Sequence, residues 1–125
     1  MTELSLAVVG IDFPNSDRSN RRFEIALCRP GDPVELRPEP RNPADPRAVA
    51  VHSERDVRIG YITAERCGLI GKWLREGEEC RAVFQEAGRY QAVVRARFGG
   101  GEPTLPERED APEPDEYAQP DWDDS

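Results

Sequence analysis

The chain has 125 residues, 34% of them charged and 37% apolar, with a formal net charge of −8; the length suits one domain with a modest core, and the average charge on its face argues against binding a polyanion. The charge is unevenly placed: residues 103–125 carry nine acids against Arg108 alone, which leaves 16 acids and 16 bases in residues 1–102. Any binding of an anionic partner by the body must come from a local arrangement of side chains.

Taken in order, "LSLAVVGI" (4–11) reads as a first strand, apolar through its interior and so buried on both sides or part of a barrel. "DFPNSDRSNR" (12–21) is a loop. "RFEIALC" (22–28) alternates Phe23, Ile25 and Leu27 with Arg22, Glu24 and Ala26 and reads as a strand, after which "RPGD" (29–32) turns the chain. "PVELRPE" (33–39) is a strand in which Pro38 marks an edge or an ending. In "RNPADPRAVAV" (41–51), Pro43 and Pro46 fix their own φ and push Asn42 and Asp45 into extended conformations. The loop is therefore stiff, and the short side chains of Asn42 and Asp45 can bond nearby backbone N–H groups and pin it further.

"AVAVHS" (48–53) and "VRIGYI" (57–62) alternate across "ERD" as a hairpin. "TAERCGLIGKWLREGE" (63–78) changes period: Thr63 is an N-cap, Glu65 complements the positive end, and Leu69, Ile70, Trp73 and Leu74 make one apolar face. Gly68 and Gly71 each weaken this helix by up to about 1 kcal/mol relative to Ala. "CRAVFQE" (80–86) and "RYQAVVRARF" (89–98) are two further strands around a Gly88 turn. Strands of low polarity on one face and a single clear helix place residues 1–98 in a mainly β class with one or two helices, as a small six-stranded OB-like or SH3-like β-barrel.

Residues 99–125 open with Gly99, Gly100 and Gly101 and then mix five prolines with the acids. So little can be buried here that the segment reads as a disordered acidic tail. Tyr117 and Trp122 sit among its acids, either incidentally in a solubilising tail or as part of a short peptide that docks on a basic protein partner.

Cys28, Cys67 and Cys80 form no CxxC pair and leave an odd thiol, which fits a reduced cytosol rather than a disulfide framework or a zinc cluster. The N-terminus lacks the basic and long apolar regions of a signal peptide, and no window approaches the roughly 18 apolar residues of a membrane span. A soluble cytoplasmic protein is expected. His52, alone of its kind, reads as a packed or exposed strand residue rather than a base or ligand, and Cys67 and Cys80 read as small apolar residues. With no phosphate-binding GxxxxGK[ST], no HExxH and no paired zinc-ligand spacing, the sequence offers no catalytic residue, cofactor or metal site.

"VVGIDF", "PVELRPEPRNPADPRAVAVHS" and "RIGYITAE" together resemble the HIRAN domain, a small barrel, over residues 5–98. The shared pattern is L-x5-N-P-x-D-x-x-A-V-x-V, a turn, and [IV]-G-Y-[IL]. The resemblance implies single-stranded DNA as ligand, with Asp45 accepting a hydrogen bond from a free 3′-hydroxyl while aromatic side chains stack on the terminal bases. A carboxylate repels internal phosphates yet accepts from a terminal hydroxyl, so this chemistry separates an end from a continuous chain.

Carried over by residue, Phe13 matches a stacking tyrosine, Asn42 and Asp45 match the polar pair of the loop, and Tyr90 falls where the family offers a late aromatic. Arg41 stands where the family has another Asn, Tyr61 where it has a histidine and Ala44 where it has a second stacking tyrosine. Asp12 and Ala64 replace an arginine and a lysine, so two basic groups that would meet phosphates are missing. Arg41, Arg47 and Arg58, with Arg18, Arg21 and Arg22 near the first loop, are the cations that can restore that charge. Two functions follow as expectations: a non-catalytic module for single-stranded DNA near a 3′ end in repair or replication-fork processing, or a protein-interaction module whose groove takes a peptide and whose acidic tail recruits a partner or occupies the groove.

Overall fold

Inward-facing apolar residues recur at every second position along most of the strands, and the sheet they line closes on itself. The computed structural model describes residues 2–106. Its elements are β1 (Thr2–Val9), α1 (Arg21–Leu27), β2 (Pro33–Pro38), β3 (Val49–His52), β4 (Arg58–Ile62), α2 (Ala64–Arg75), β5 (Cys80–Ala87) and β6 (Ala92–Phe98). Neighbouring strands are antiparallel in the closed order β1-β4-β3-β2-β5-β6. The ring is sealed where β1 meets β6, from Thr2↔Phe98 to Val8↔Ala92.

The interior is filled by Leu6 and Val8 of β1, Val34 and Leu36 of β2, Val49 and Val51 of β3, Ile59 and Ile62 of β4, Phe84 of β5, and Val94 and Phe98 of β6. Buried apolar side chains of this size each contribute roughly 1.5–3 kcal/mol. Helix α2 adds Cys67 and Ile70 to the core and sets Trp73 edge-on to Phe98, with ring centroids 5.0 Å apart. Trp73 itself is only half-buried. Thr63 occupies the N-cap position as expected, but its side chain makes no capping bond; its carbonyl takes the amides of Arg66 and Cys67 instead.

The stretch 22–28 is a helix rather than a strand. Asn20 caps it, its side-chain oxygen accepting from the Phe23 amide at 2.8 Å. Arg21, Glu24 and Ile25 point inward at helical spacing, while Phe23 and Leu27 are exposed. Two of the three apolar residues of the period-2 pattern, Phe23 and Leu27, face solvent. Buried Glu24 instead fixes the helix, accepting from Ser53 Oγ at 2.6 Å and Arg55 Nε at 2.7 Å. The other six strand segments are those that close the barrel.

Gly10, at φ +74°, ends β1 after Val9, two residues before the sequence pattern runs out. Pro38 is an ending, because a closed barrel has no edge strand. Residues 99–106, which composition groups with the acidic segment, turn back on the barrel. Gly99, Gly100 and Gly101 all have positive φ, which curls the chain at once, and the Glu3 carboxylate then accepts from the Thr104 amide at 2.8 Å. Glu3 also takes Arg95 Nε at 3.0 Å and Arg97 Nη1 at 2.8 Å. Leu105 reaches the turn at Gly31. Residues 107–125, with Tyr117 and Trp122, lie outside the described residues. Among the described residues no helix is long and apolar enough to cross a membrane.

Candidate functional site

Register decides which segments meet. Val8 lies between Ile62 of β4 and Ala92 of β6, so the loop that leaves β1 emerges between the end of β4 and the β5–β6 turn. Pro38 pairs with Val49, and Ala50 with Tyr61, so the loop joining β2 to β3 hangs beside Tyr61. Gly60 makes the close approach of β4 to β1 possible: a Cβ there would lie 2.5 Å from the Val9 carbonyl oxygen and 2.7 Å from Val8 Cγ1. The glycine of the RIGYI strand is thus a packing requirement that sets the position of Tyr61.

The NPADP loop is pinned by its own side chains, as its composition implies. Asn42 Oδ1 accepts from the amides of Ala44 at 2.8 Å and Asp45 at 3.3 Å, and Asp45 Oδ1 accepts from the Arg47 amide at 2.8 Å. Backbone bonds from Glu39 to the Ala48 carbonyl and from Ala48 to the Asp45 carbonyl close its base. Asp45 Oδ2 makes no bond among the described residues. Asp45 lines a cavity of about 230 Å³ with Asn42, Ala44, Ala48, Tyr61 and Ile62. A second cavity of about 610 Å³, which shares Asn42 and Tyr61 with the first, is lined also by Glu39, Arg41, Pro43 and Arg58.

A polar network runs along the larger cavity and reaches the smaller one through Asn42 and Tyr61. Tyr61 Oη donates to Glu39 Oε1 at 2.8 Å, Asn42 Nδ2 donates to the same oxygen at 3.0 Å, and Arg58 Nη1 donates to Glu39 Oε2 at 3.0 Å. Asn15 Oδ1 receives Arg58 Nε at 3.2 Å and Arg21 Nε at 2.8 Å. The guanidiniums of Arg21 and Arg58 both lie over the Tyr61 ring, 5.5 and 5.6 Å from its centroid. Burial alone would raise the Glu39 carboxyl, but the Tyr61 and Asn42 hydrogen bonds and the Arg58 charge outweigh it and hold the group below its ordinary range. Burial, then the bond to Glu39, pushes the Tyr61 phenol up. Burial, then the nearby Arg58 charge, pulls Arg21 down.

The structure brings Arg41, Asn42, Asp45 and Tyr61 onto two adjoining cavities. Phe13 leaves the β1 loop beside Gly10 and is 67% exposed, an open aromatic face. Tyr90 is 75% exposed in the β5–β6 turn, with the Arg89 guanidinium 5.5 Å from its ring centroid. It stands apart from the cavities and is tied to the first loop through Arg22, which bonds both Asp12 and the Arg89 carbonyl. Tyr61 is not an open stacking surface, since two guanidiniums already lie over it. Arg47 points to solvent and pairs only with Asp45, at 3.5 Å. Arg58 and Arg22, named as candidate cations, are each neutralised by an acid, whereas Arg41 has no acidic partner among the described residues.

Glu39 and Asn15 are the members that sequence reasoning missed. Glu39 precedes Asn42 by three residues, the spacing of their bond, but a lone acid after Pro38 carries no other mark. His52 sits half-buried between Arg37 and Asp56, kept below its ordinary pKa first by burial and then by Arg37. Burial pushes the Cys28 and Cys80 thiols up to about 11, so both are protonated at neutral pH. Among the described residues no group of three or more His, Cys, Asp or Glu side chains could hold a metal ion.

A family model described as the HIRAN domain matches residues 3–92. No curated protein matches the chain. Among solved structures, the crystal structure of the HIRAN domain of human HLTF superposes with a TM-score of 0.63 at 17% identity, covering 77% of this chain and 74% of that one. The crystal structure of a protein from Lactobacillus plantarum gives a TM-score of 0.59 at 16% identity, over 76% of this chain and 98% of the other. At such identity the likeness to both is one of fold.

Proposed function

This chain belongs to the HIRAN domain family, and from that premise we propose that it is a non-catalytic nucleic-acid-binding module that holds single-stranded DNA near a 3′ end, in repair or replication-fork processing. The observation that carries the reading is Asp45. One of its carboxylate oxygens is spent on the Arg47 amide, and the other is unbonded beside a small cavity walled by Tyr61 and Ile62. An acceptor held so rigidly suits a terminal hydroxyl and disfavours a phosphate in the same place. Phe13 and Tyr90 supply exposed rings on which bases stack, each such contact contributing about 1–3 kcal/mol. Arg41 is the cation available to the strand on the Glu39 side of the loop.

A second reading, a peptide-binding groove, is favoured by one feature: Glu39 already neutralises Arg58 inside the larger cavity. A ligand there meets an apolar wall with few free charges. The recruitment of a basic protein partner by the acidic segment concerns residues outside those described.

Fluorescence anisotropy of the full chain with labelled single-stranded DNA, bearing either a 3′-hydroxyl or a 3′-phosphate, separates these readings. The expected result is tighter binding of the hydroxyl end, with the preference lost in Asp45→Ala. Equal binding of both ends refutes end recognition, and no binding of either moves the assignment to a peptide.

A further inference from the structure

The first loop encloses a cavity of about 350 Å³ that the family pattern does not explain. Arg18, Arg21 and Arg22 line it, with the amides of Asn15 and Asn20 and a single carboxylate, that of Asp12. Arg22 engages Asp12 at 2.5 Å and cancels it. Asp17, the other acid of the loop, is turned onto the amide and hydroxyl of Ser19, at 2.9 and 2.5 Å. Arg18 therefore has no acidic partner among the described residues.

Arg21 is the more telling member. It is only 6% exposed, yet its two bonds go to neutral acceptors, Asn15 Oδ1 at 2.8 Å and the Gly10 carbonyl at 2.7 Å. Its nearest charged neighbour across the Tyr61 ring is Arg58, a like charge whose own acid is Glu39. A buried guanidinium that bonds no acid, with Glu39 acting on it only from a distance, is costly, and an anion brought to it lowers that cost. Asn20 Nδ2 makes no bond among the described residues and adds a neutral donor to the same cavity, its Oδ1 being used to cap α1.

We propose that this cavity is an anion site that takes one phosphate group, held chiefly by Arg18 and Arg21. The assignment rests on side-chain charge and does not require the nucleic-acid reading. The phosphate can come from a strand whose end lies at Asp45 or from a free phosphate-bearing small molecule.

The test is a titration of the full chain with inorganic phosphate at low ionic strength, followed by arginine Nε and amide NMR shifts. Saturable shifts confined to the first loop are expected, weakened about tenfold in Arg18→Ala, the loss of one charge-assisted contact. Arg18 is exposed, so this variant folds; Arg21→Lys, which keeps the charge but loses the fork, is expected to weaken binding further. Absence of saturable shifts, or shifts unaltered in Arg18→Ala, overturns the site. A parallel titration with single-stranded DNA identifies the source. If Arg18→Ala lowers DNA affinity and flattens its salt dependence by about 0.7 in log–log slope, the ligand is a strand phosphate. If only phosphate binding responds to Arg18→Ala, the anion site holds and its ligand is a small molecule. Asp45-dependent DNA binding without any phosphate binding overturns this site and leaves the proposed function standing.

Discussion

Glu39 and Tyr61 share one proton donor and one acceptor across the barrel wall: the phenol of β4 donates to the carboxylate at the end of β2 over 2.8 Å. The pairing favours the ionised acid and the neutral phenol together. Because the Glu39 pKa is lowered in the folded chain, its contribution is present above the ordinary value of 4.5 and is lost as pH falls through the folded value. The Tyr61 pKa is raised, so its contribution is present below the ordinary value of 10.0 and is lost as pH rises through the folded one. Stability followed by thermal unfolding is expected to be flat near neutrality and to fall on both sides. In Glu39→Gln it should be lower by about 1–2 kcal/mol at pH 7, with part of the acid-side fall removed.

Phe13 and Tyr90 project rings with little to hold them. Their replacement by alanine is expected to leave the melting temperature within a few degrees of the parent, since exposed side chains contribute little to folding. DNA affinity should drop about tenfold for each, equivalent to about 1.4 kcal/mol of stacking. Anisotropy and calorimetry on the same samples separate the two effects.

Gly60→Ala places a methyl group against the Val9 carbonyl, a backbone atom that cannot rotate away. The expected cost is about 3 kcal/mol, at the upper end for overpacking, with the β1–β4 pairing displaced. A denaturant midpoint unchanged in this variant would contradict the register of Val8 with Ile62.

Glu3 anchors residues 99–106. The Thr104 amide, then Arg97 and Arg95, hold its pKa at about 2 against an ordinary 4.5. Its lowered value means the contribution is complete above pH 4.5 and disappears only as pH falls toward about 2. Hydrogen exchange at the Thr104 amide is expected to be protected at pH 5 and to lose that protection in Glu3→Gln, while the amides of β3 keep theirs.

Much of this was legible in the sequence where one physical rule acts alone. The prolines and short polar side chains of 42–46 dictated a loop that bonds to itself, and it does so through Asn42 and Asp45. The strand list failed at 22–28, where period two was the wrong guide because Phe23 and Leu27 face outward and Asn20, outside the stretch, starts a helix. Glu39 and Asn15 were illegible for a different reason. Their partners Tyr61, Arg58 and Arg21 come together only once β1, β2 and β4 are in register, and no local spacing encodes that.

The seam between β1 and β6 has a consequence for synthesis. Thr2 is made nearly a hundred residues before Phe98, yet they are direct partners. At about 5–20 residues per second, β1 waits roughly 5–20 s for β6 to exist, and until then a strand carrying Leu6 and Val8 has no partner on that side. The chain cannot complete its ring piece by piece as it emerges. Closure is a single late event, and any translation pause between Ala64 and Ala87 prolongs the interval in which β1 is open to pairing with another molecule.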